Sequence, residues 1–328
     1  MQFEEKDWFE GTPGTKESFA IRLGEMPNGL PYLLPVMVLN GATDGPTFFV
    51  NAAMHGDEIL GTEAVRQAWK LIETDQLRGR AVMIPMANLA GVGTRTRRNI
   101  IEMYPGPHDM NRVFPGNPKG IMTERIAATI IERFVKPAEY TFDIHCASVG
   151  GEWLPYVTVP TPSSEGLNAE QVRAANEMSR AWGTPLVIEG HVIPGSLVGE
   201  AFKLGKVAGM VEFGVANFSS REERVWGRTG VMNLLKGVGM LEGEPVIDRE
   251  QITITTQTRI LTDRGGFLHR RVETGAQVKE GESIAVLMSL DGEEIDEFKA
   301  PHAGVVCRMN TMGVVGTGDI IAYVGSGD

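Results

Sequence analysis

Between residues 45 and 245 the chain alternates two kinds of pattern. Short apolar runs rich in β-branched and aromatic residues, at 47–54, 81–87, 140–145, 155–159, 185–189 and 207–212, predict buried strands. Among them, segments 58–73, 121–136, 166–182, 195–204 and 220–237 carry the residues and spacing of helices. The stretch from Thr123 to Val135 shows the helical period well, and Pro137 stops it. Strand and helix in alternation build a mostly parallel sheet flanked by helices, so the predicted class is α/β. Residues 1–45 read as lead-in strands and turns, with Pro27-Asn28-Gly29 and Asn40-Gly41 as turn signals.

The pattern changes near 245. Residues 251–328 show no helical period and consist of short β runs separated by glycines such as Gly275, Gly281, Gly292 and Gly304. The expectation is two domains, an α/β domain over 1–245 and a smaller all-β domain over 246–328. Segments 272–286 and 300–306 resemble the barrel-sandwich of lipoyl and biotinyl carriers. The carrier hairpin bears a modified lysine, whereas Leu290-Asp291-Gly292 has none. A capping or oligomerising role is expected in place of a swinging arm.

Composition narrows the partners. Lys plus Arg total 31 against 42 Asp plus Glu, a formal charge of −11, which argues against nonspecific binding to nucleic acid or an anionic membrane. The N-terminal residues lack the apolar core of a signal peptide, and no apolar run is long enough to span a bilayer. Two cysteines, Cys146 and Cys307, imply no disulfide framework, so a reducing cytoplasm is the expected location.

Candidate chemistry gathers at predicted strand ends, where sites in α/β sheets lie. His55-Gly56-Asp57-Glu58 stands where one strand ends and a helix begins, so His55 and Glu58 are expected on one side of the first helical turn. An imidazole and a carboxylate suit Zn2+, but a catalytic zinc needs a third, distant ligand, and the pair alone reads more readily as a solvated cap. His145 ends a later strand, and Asp143, two positions earlier on the same face, is placed to hold the far nitrogen of a ligand imidazole. Glu212 closes the apolar run 207–212, a costly position for an acid unless it is solvated, paired or used. Arg95, Arg97, Arg98 and Arg112 lie in a Gly- and Pro-rich stretch and offer either solvated loop charge or a local anion site.

Taken together, His55-Gly-Asp-Glu58, Asp109-Met-Asn111-Arg112-Val-Phe-Pro-Gly116, Asp143-Ile-His145 and Glu212-Phe-Gly214 resemble the succinylglutamate desuccinylase/aspartoacylase family, part of the wider zinc-carboxypeptidase-like group. The resemblance covers residues 45–240 and implies one Zn2+ per chain on His55, Glu58 and His145. It makes Glu212 the general base, Asn111 and Arg112 the grip on the substrate carboxylate, and an upstream arginine, Arg97 by spacing with Arg95 and Arg98 as rivals, the group that polarises the scissile carbonyl. The implied reaction is hydrolysis of the amide of an N-acetyl or N-succinyl amino acid or related small molecule. A metallocarboxypeptidase and a non-catalytic zinc-binding member are the alternatives, and homo-oligomerisation stays open.

One departure bears on the substrate. Relatives that hold an aspartate side chain use a Tyr and an Arg shortly before the catalytic glutamate, and residues 195–206 contain neither. Glu200 in that stretch would suit a cationic side chain, such as that of an acetylated diamino acid. Of the other histidines, His108 reads as loop polarity, His191 as a candidate pocket residue, and His269 and His302 as surface or turn residues of the β domain.

Overall fold

The computed structural model describes residues 4–6, 11–104, 106, 108–164, 166–190 and 192–327. Its frame is a ten-stranded mixed sheet in the order Glu4–Glu5, Lys16–Glu25, Pro31–Asn40, Arg78–Ile84, Thr43–Ala52, Tyr140–Ala147, Val207–Val215, Tyr156–Val159, Leu186–Glu189, Ile252–Ile254. The four central strands, from Arg78–Ile84 to Val207–Val215, run parallel. The lead-in residues pair as an antiparallel hairpin on one side, and Tyr156–Val159 runs antiparallel to Val207–Val215 on the other.

Alternation along the central strands loads both faces, which is why these segments read as continuous apolar runs. Phe48, Val50 and Ala52 face Leu60, Ala64 and Val65 of the helix Leu60–Leu71 and Val231 and Leu234 of the helix Arg221–Gly237. Phe49 faces the opposite layer, with Ile126, Ile130 and Phe134. Trp182 anchors the first layer by stacking on Phe142 at 5.5 Å, and Gly230 lets the helix close on it, since a Cβ there would meet the indole at 2.2 Å.

The helix expected over 121–136 is regular only from Met122 to Ile130 and widens into a π turn over Ile131–Val135. The wider turn turns the consecutive Ile130 and Ile131 inward together, along with Phe134 and Val135.

The C-terminal residues form two antiparallel sheets. One contains Thr256–Leu261, Ile320–Ser326, Gly304–Asn310 and Gln277–Val278, the other Glu294–Lys299, Ser283–Met288, Gly266–Arg270 and Val314–Val315. They enclose a core of their own that includes Leu268, Ile284, Leu287, Val306 and Ile321. Gly151–Trp153, just beyond the strand that carries His145, pairs with Gly304–Asn310, so this β unit is hydrogen-bonded beside the sheet's carboxyl edge. No helix among the described residues is long and apolar enough to cross a membrane.

Trp182→Ala should cost about 3–5 kcal/mol of unfolding free energy, the range for deleting a large buried aromatic. Urea denaturation measures it, and a loss below about 1 kcal/mol would show that this layer is not the anchor.

Candidate active site

His55 and Glu58 lie in the turn between the strand end at Ala52 and the helix start at Leu60, not on the first helical turn expected from the sequence. Ala53 takes the left-handed conformation (φ 48°) and Gly56 presses on the short helix Leu89–Thr94, where a Cβ would come within 1.9 Å of the Gly91 carbonyl carbon. That close approach uses the residues with which a helix would have begun, and the Glu58 N–H closes the turn on the His55 carbonyl (3.2 Å). On the next two strands, His145 and Glu212 are direct neighbours in the parallel register, so both reach the same edge of the sheet.

Glu58 is the centre of the arrangement and is 1% exposed. Its Oε1 faces His55 Nδ1 (2.8 Å), Arg97 Nη1 (3.1 Å) and the Ser148 hydroxyl (3.3 Å). Its Oε2 faces His145 Nδ1 (2.9 Å) and accepts the Cys146 N–H (3.2 Å). Burial alone would raise the carboxyl's pKa, but the charge of His55 and the bond and charge of His145 outweigh it and hold the group well below the carboxylate range. The far nitrogens of both rings meet carboxylates: His145 Nε2 lies 2.7 Å from Asp143 and His55 Nε2 lies 3.1 Å from Asp109. Burial pulls the His145 pKa down, yet Asp143 and Glu58 together lift it well above the usual value.

Ligand atoms of His55, Glu58 and His145 all lie within 4.8 Å of one another, a set that could hold a metal ion. With the Nε2–H of each ring donated in a hydrogen bond to Asp109 or Asp143, both rings, once deprotonated at Nδ1, point that lone pair at the Glu58 carboxylate. Three electron-pair donors converging on one volume repel each other until a cation enters, so the donor set fits a divalent ion. Glu212 stands beside this set with its Oε2 buried and unpartnered. Burial, and then the charge of Glu58, push its pKa up to about 8.

Of the three clustered arginines, Arg97 reaches the centre, while Arg95 and Arg98 are exposed. Arg97 donates to Asp109 (3.1 Å), Glu58 (3.1 Å) and Ser148 (2.5 Å). Asn111 is brought alongside: its Oδ1 accepts the Leu197 N–H (3.0 Å) and its amide nitrogen lies 3.4 Å from His145 Nε2. Arg112 is exposed and donates to the Asn111 carbonyl (2.7 Å). Glu200 pairs with Lys203 (3.4 Å) and makes no bond to this cluster. His108 lies outside the ligand set with a buried, unpartnered Nδ1, and His191 falls outside the described residues. Sequence reasoning gave no role to Asp109, Ser148 or the Cys146 N–H. Asp109 was visible in its motif, but nothing along the chain pairs it with His55.

The description "Succinylglutamate desuccinylase/Aspartoacylase catalytic domain" fits residues 44–238 of the chain. The chain belongs to this family. Within it, the N-alpha-acetyl-L-2,4-diaminobutyric acid deacetylase of Halomonas elongata is 28% identical over 301 residues, covering 89% of this chain and 85% of the relative. The product-bound structure of the ectoine utilization protein EutE (DoeB) from Ruegeria pomeroyi superposes with a TM-score of 0.87 at 23% identity, covering 97% of this chain and 98% of that one. A succinylglutamate desuccinylase from Silicibacter sp. gives 0.85 at 22% identity, with 94% of each chain covered. At these identities the two structures establish the shared fold, a large mixed sheet with flanking helices and smaller C-terminal β sheets.

A carboxyl whose pKa is raised from 4.5 to about 8 on folding holds its proton more tightly in the folded state. Its contribution to stability is complete below the unfolded value and is lost as pH rises through about 8. In chelator-treated protein, Glu212→Gln should therefore gain stability relative to wild type between pH 5 and 8. The gain should be at least about 1.4 kcal/mol, the worth of one pKa unit. Urea denaturation across that range measures it, and a difference that does not change with pH contradicts the assignment.

Proposed function

We propose that this chain is a zinc-dependent amidohydrolase that removes an acyl group from an N-acyl amino acid in the cytoplasm. The observation that carries the reading is the convergence of His55, Glu58 and His145 beside the buried, unpartnered oxygen of Glu212. His55, Glu58 and His145 would hold Zn2+, which supplies Lewis-acid chemistry by acidifying a water and polarising the acyl oxygen.

The chain's own residues do the rest. Glu212 takes a proton from the attacking water on its free Oε2 and returns it to the nitrogen of the leaving amine. A carboxyl tuned towards neutrality suits both directions of that transfer. Arg97, held by Asp109 and Ser148, donates to the acyl oxygen as negative charge develops on it. Asn111 and Arg112 bind the substrate carboxylate, and the C-terminal β unit that begins at Thr256 covers the cleft and keeps water from it.

An acetylated diamino acid is the substrate class the reading favours. The name of the Halomonas elongata relative supports it, and so does the lack of Tyr and Arg in residues 195–206. The test is release of free amine from acetyl and succinyl derivatives of acidic, neutral and diamino acids, after chelation and after zinc is restored. Zinc-restored hydrolysis of the acetylated diamino acid is expected. Glu212→Ala should keep metal and lose about 100-fold or more of turnover, whereas His145→Ala should lose both metal and turnover. Near-normal turnover in Glu212→Ala would remove Glu212 from the mechanism, and silence across the panel with metal bound would remove the deacylase reading.

A further inference from the structure

Arg308 belongs to the strand Gly304–Asn310 of the C-terminal β unit, far from every family motif in the sequence. The pairing of Arg308 with Trp153 puts it beside the segment that follows the His145 strand. The guanidinium carbon lies 5.9 Å from the centre of the Trp153 ring, and Nη2 reaches the Gly150 carbonyl at 3.5 Å. Room for it exists because residue 151 is a glycine: a Cβ there would stand 2.6 Å from Nη2 and 2.9 Å from Nε. Trp153 in turn packs edge-on to Tyr156 at 5.0 Å, and Tyr156 is the register neighbour of Glu212. The strand Gly151–Trp153 also packs directly on Val207–Val215, which carries Glu212.

In this setting Nη1 of Arg308 is shut off from solvent and has no hydrogen-bond partner. Burial lowers the affinity of the guanidinium for its proton, while Tyr323, Glu212 and Tyr156 pull the other way. A buried N–H of a cation without an acceptor is costly, and a planar fork of this kind matches a carboxylate. Glu212 is close enough to be felt but makes no bond to it.

We propose that Arg308, supplied by the C-terminal β unit, binds the α-carboxylate of the amino-acid half of the substrate. The inference rests on the reading of Glu212 as the group that returns a proton to the leaving amine. The amine then lies beside Glu212, and the α-carboxylate, one carbon from that nitrogen, falls on the Arg308 side. Arg308 shares that one carboxylate with Asn111 and Arg112, meeting its second oxygen, and it gives the β unit a part in choosing the substrate.

The experiment compares N-acetyl-L-2,4-diaminobutyrate with N-acetyl-1,3-diaminopropane, which lacks only the carboxylate. Both are tested by kinetics and by calorimetric binding to zinc-loaded wild type, Arg308→Met, Arg308→Lys and Gly151→Ala. Arg308→Met should weaken binding and raise KM for the carboxylated compound about 10- to 100-fold, the worth of a charge-assisted hydrogen bond. It should leave zinc content and handling of the des-carboxy compound within about threefold of wild type. Arg308→Lys should fall between wild type and Arg308→Met, and Gly151→Ala, which displaces the guanidinium, should follow Arg308→Met. Equal losses on both compounds, or no loss on either, overturn the assignment even if wild type hydrolyses the substrate. Carboxylate-selective binding lost in Arg308→Met, in a wild type that hydrolyses nothing, upholds Arg308 and overturns only the deacylase reading.

Discussion

A carboxylate shut away from water must be met by cations or hydrogen-bond donors, and in this molecule the carboxylate is Glu58. Every nearby group is arranged around that demand. His55, Arg97 and Ser148 face one oxygen, and His145 and the Cys146 N–H face the other. His55 and Arg97 are held in turn by Asp109 and His145 by Asp143, so charge alternates outward from a negative centre through a basic shell to an acidic one. Glu212 stands at the same edge with its Oε2 outside this network, and burial together with the charge of Glu58 raises its pKa. One network thus keeps one carboxyl ionised and leaves its neighbour's affinity for a proton raised towards neutrality, the separation of roles that acid–base chemistry requires.

The sheet makes this separation possible. Parallel strands end on one edge, so residues far apart in sequence arrive together there without long loops. His55 and Glu58 follow the strand Thr43–Ala52, His145 ends its neighbour, and Glu212 sits in the next strand over. The short helix Leu89–Thr94, which leads into Arg97, is pinned to the same edge by the backbone contact between Gly56 and Gly91, a contact that only glycine permits. The first layer, with Trp182 between Phe142 and Gly230, holds the frame on one face of the sheet.

Much of this was legible in the residues. The α/β alternation and the all-β C-terminal pattern follow from local periodicity, and His55, Glu58, His145 and Glu212 stand out because each interrupts or ends an apolar run. What could not be read depends on contacts across the chain. The helix after Glu58 starts late because of Gly91, some 35 residues on, and the π turn at Ile131 serves a packing demand that helical spacing does not encode. Arg95, Arg97 and Arg98 look alike in a loop sequence, and only the fold singles out Arg97. Arg308 is the extreme case, since its place beside Trp153 rests on strand pairing across half the chain.

The most direct test of the central claim is calorimetric titration of Zn2+ into chelator-treated protein at pH 7, in two buffers of different ionisation enthalpy, for wild type and Glu58→Gln. The arrangement predicts one ion per chain and proton release on binding, because His145 is held protonated by Asp143 and Glu58 until the ion displaces its proton. It also predicts an affinity about 100-fold or more lower in Glu58→Gln. Absence of stoichiometric binding, or equal affinity in the two proteins, would contradict the view that the buried carboxylate organises a metal site.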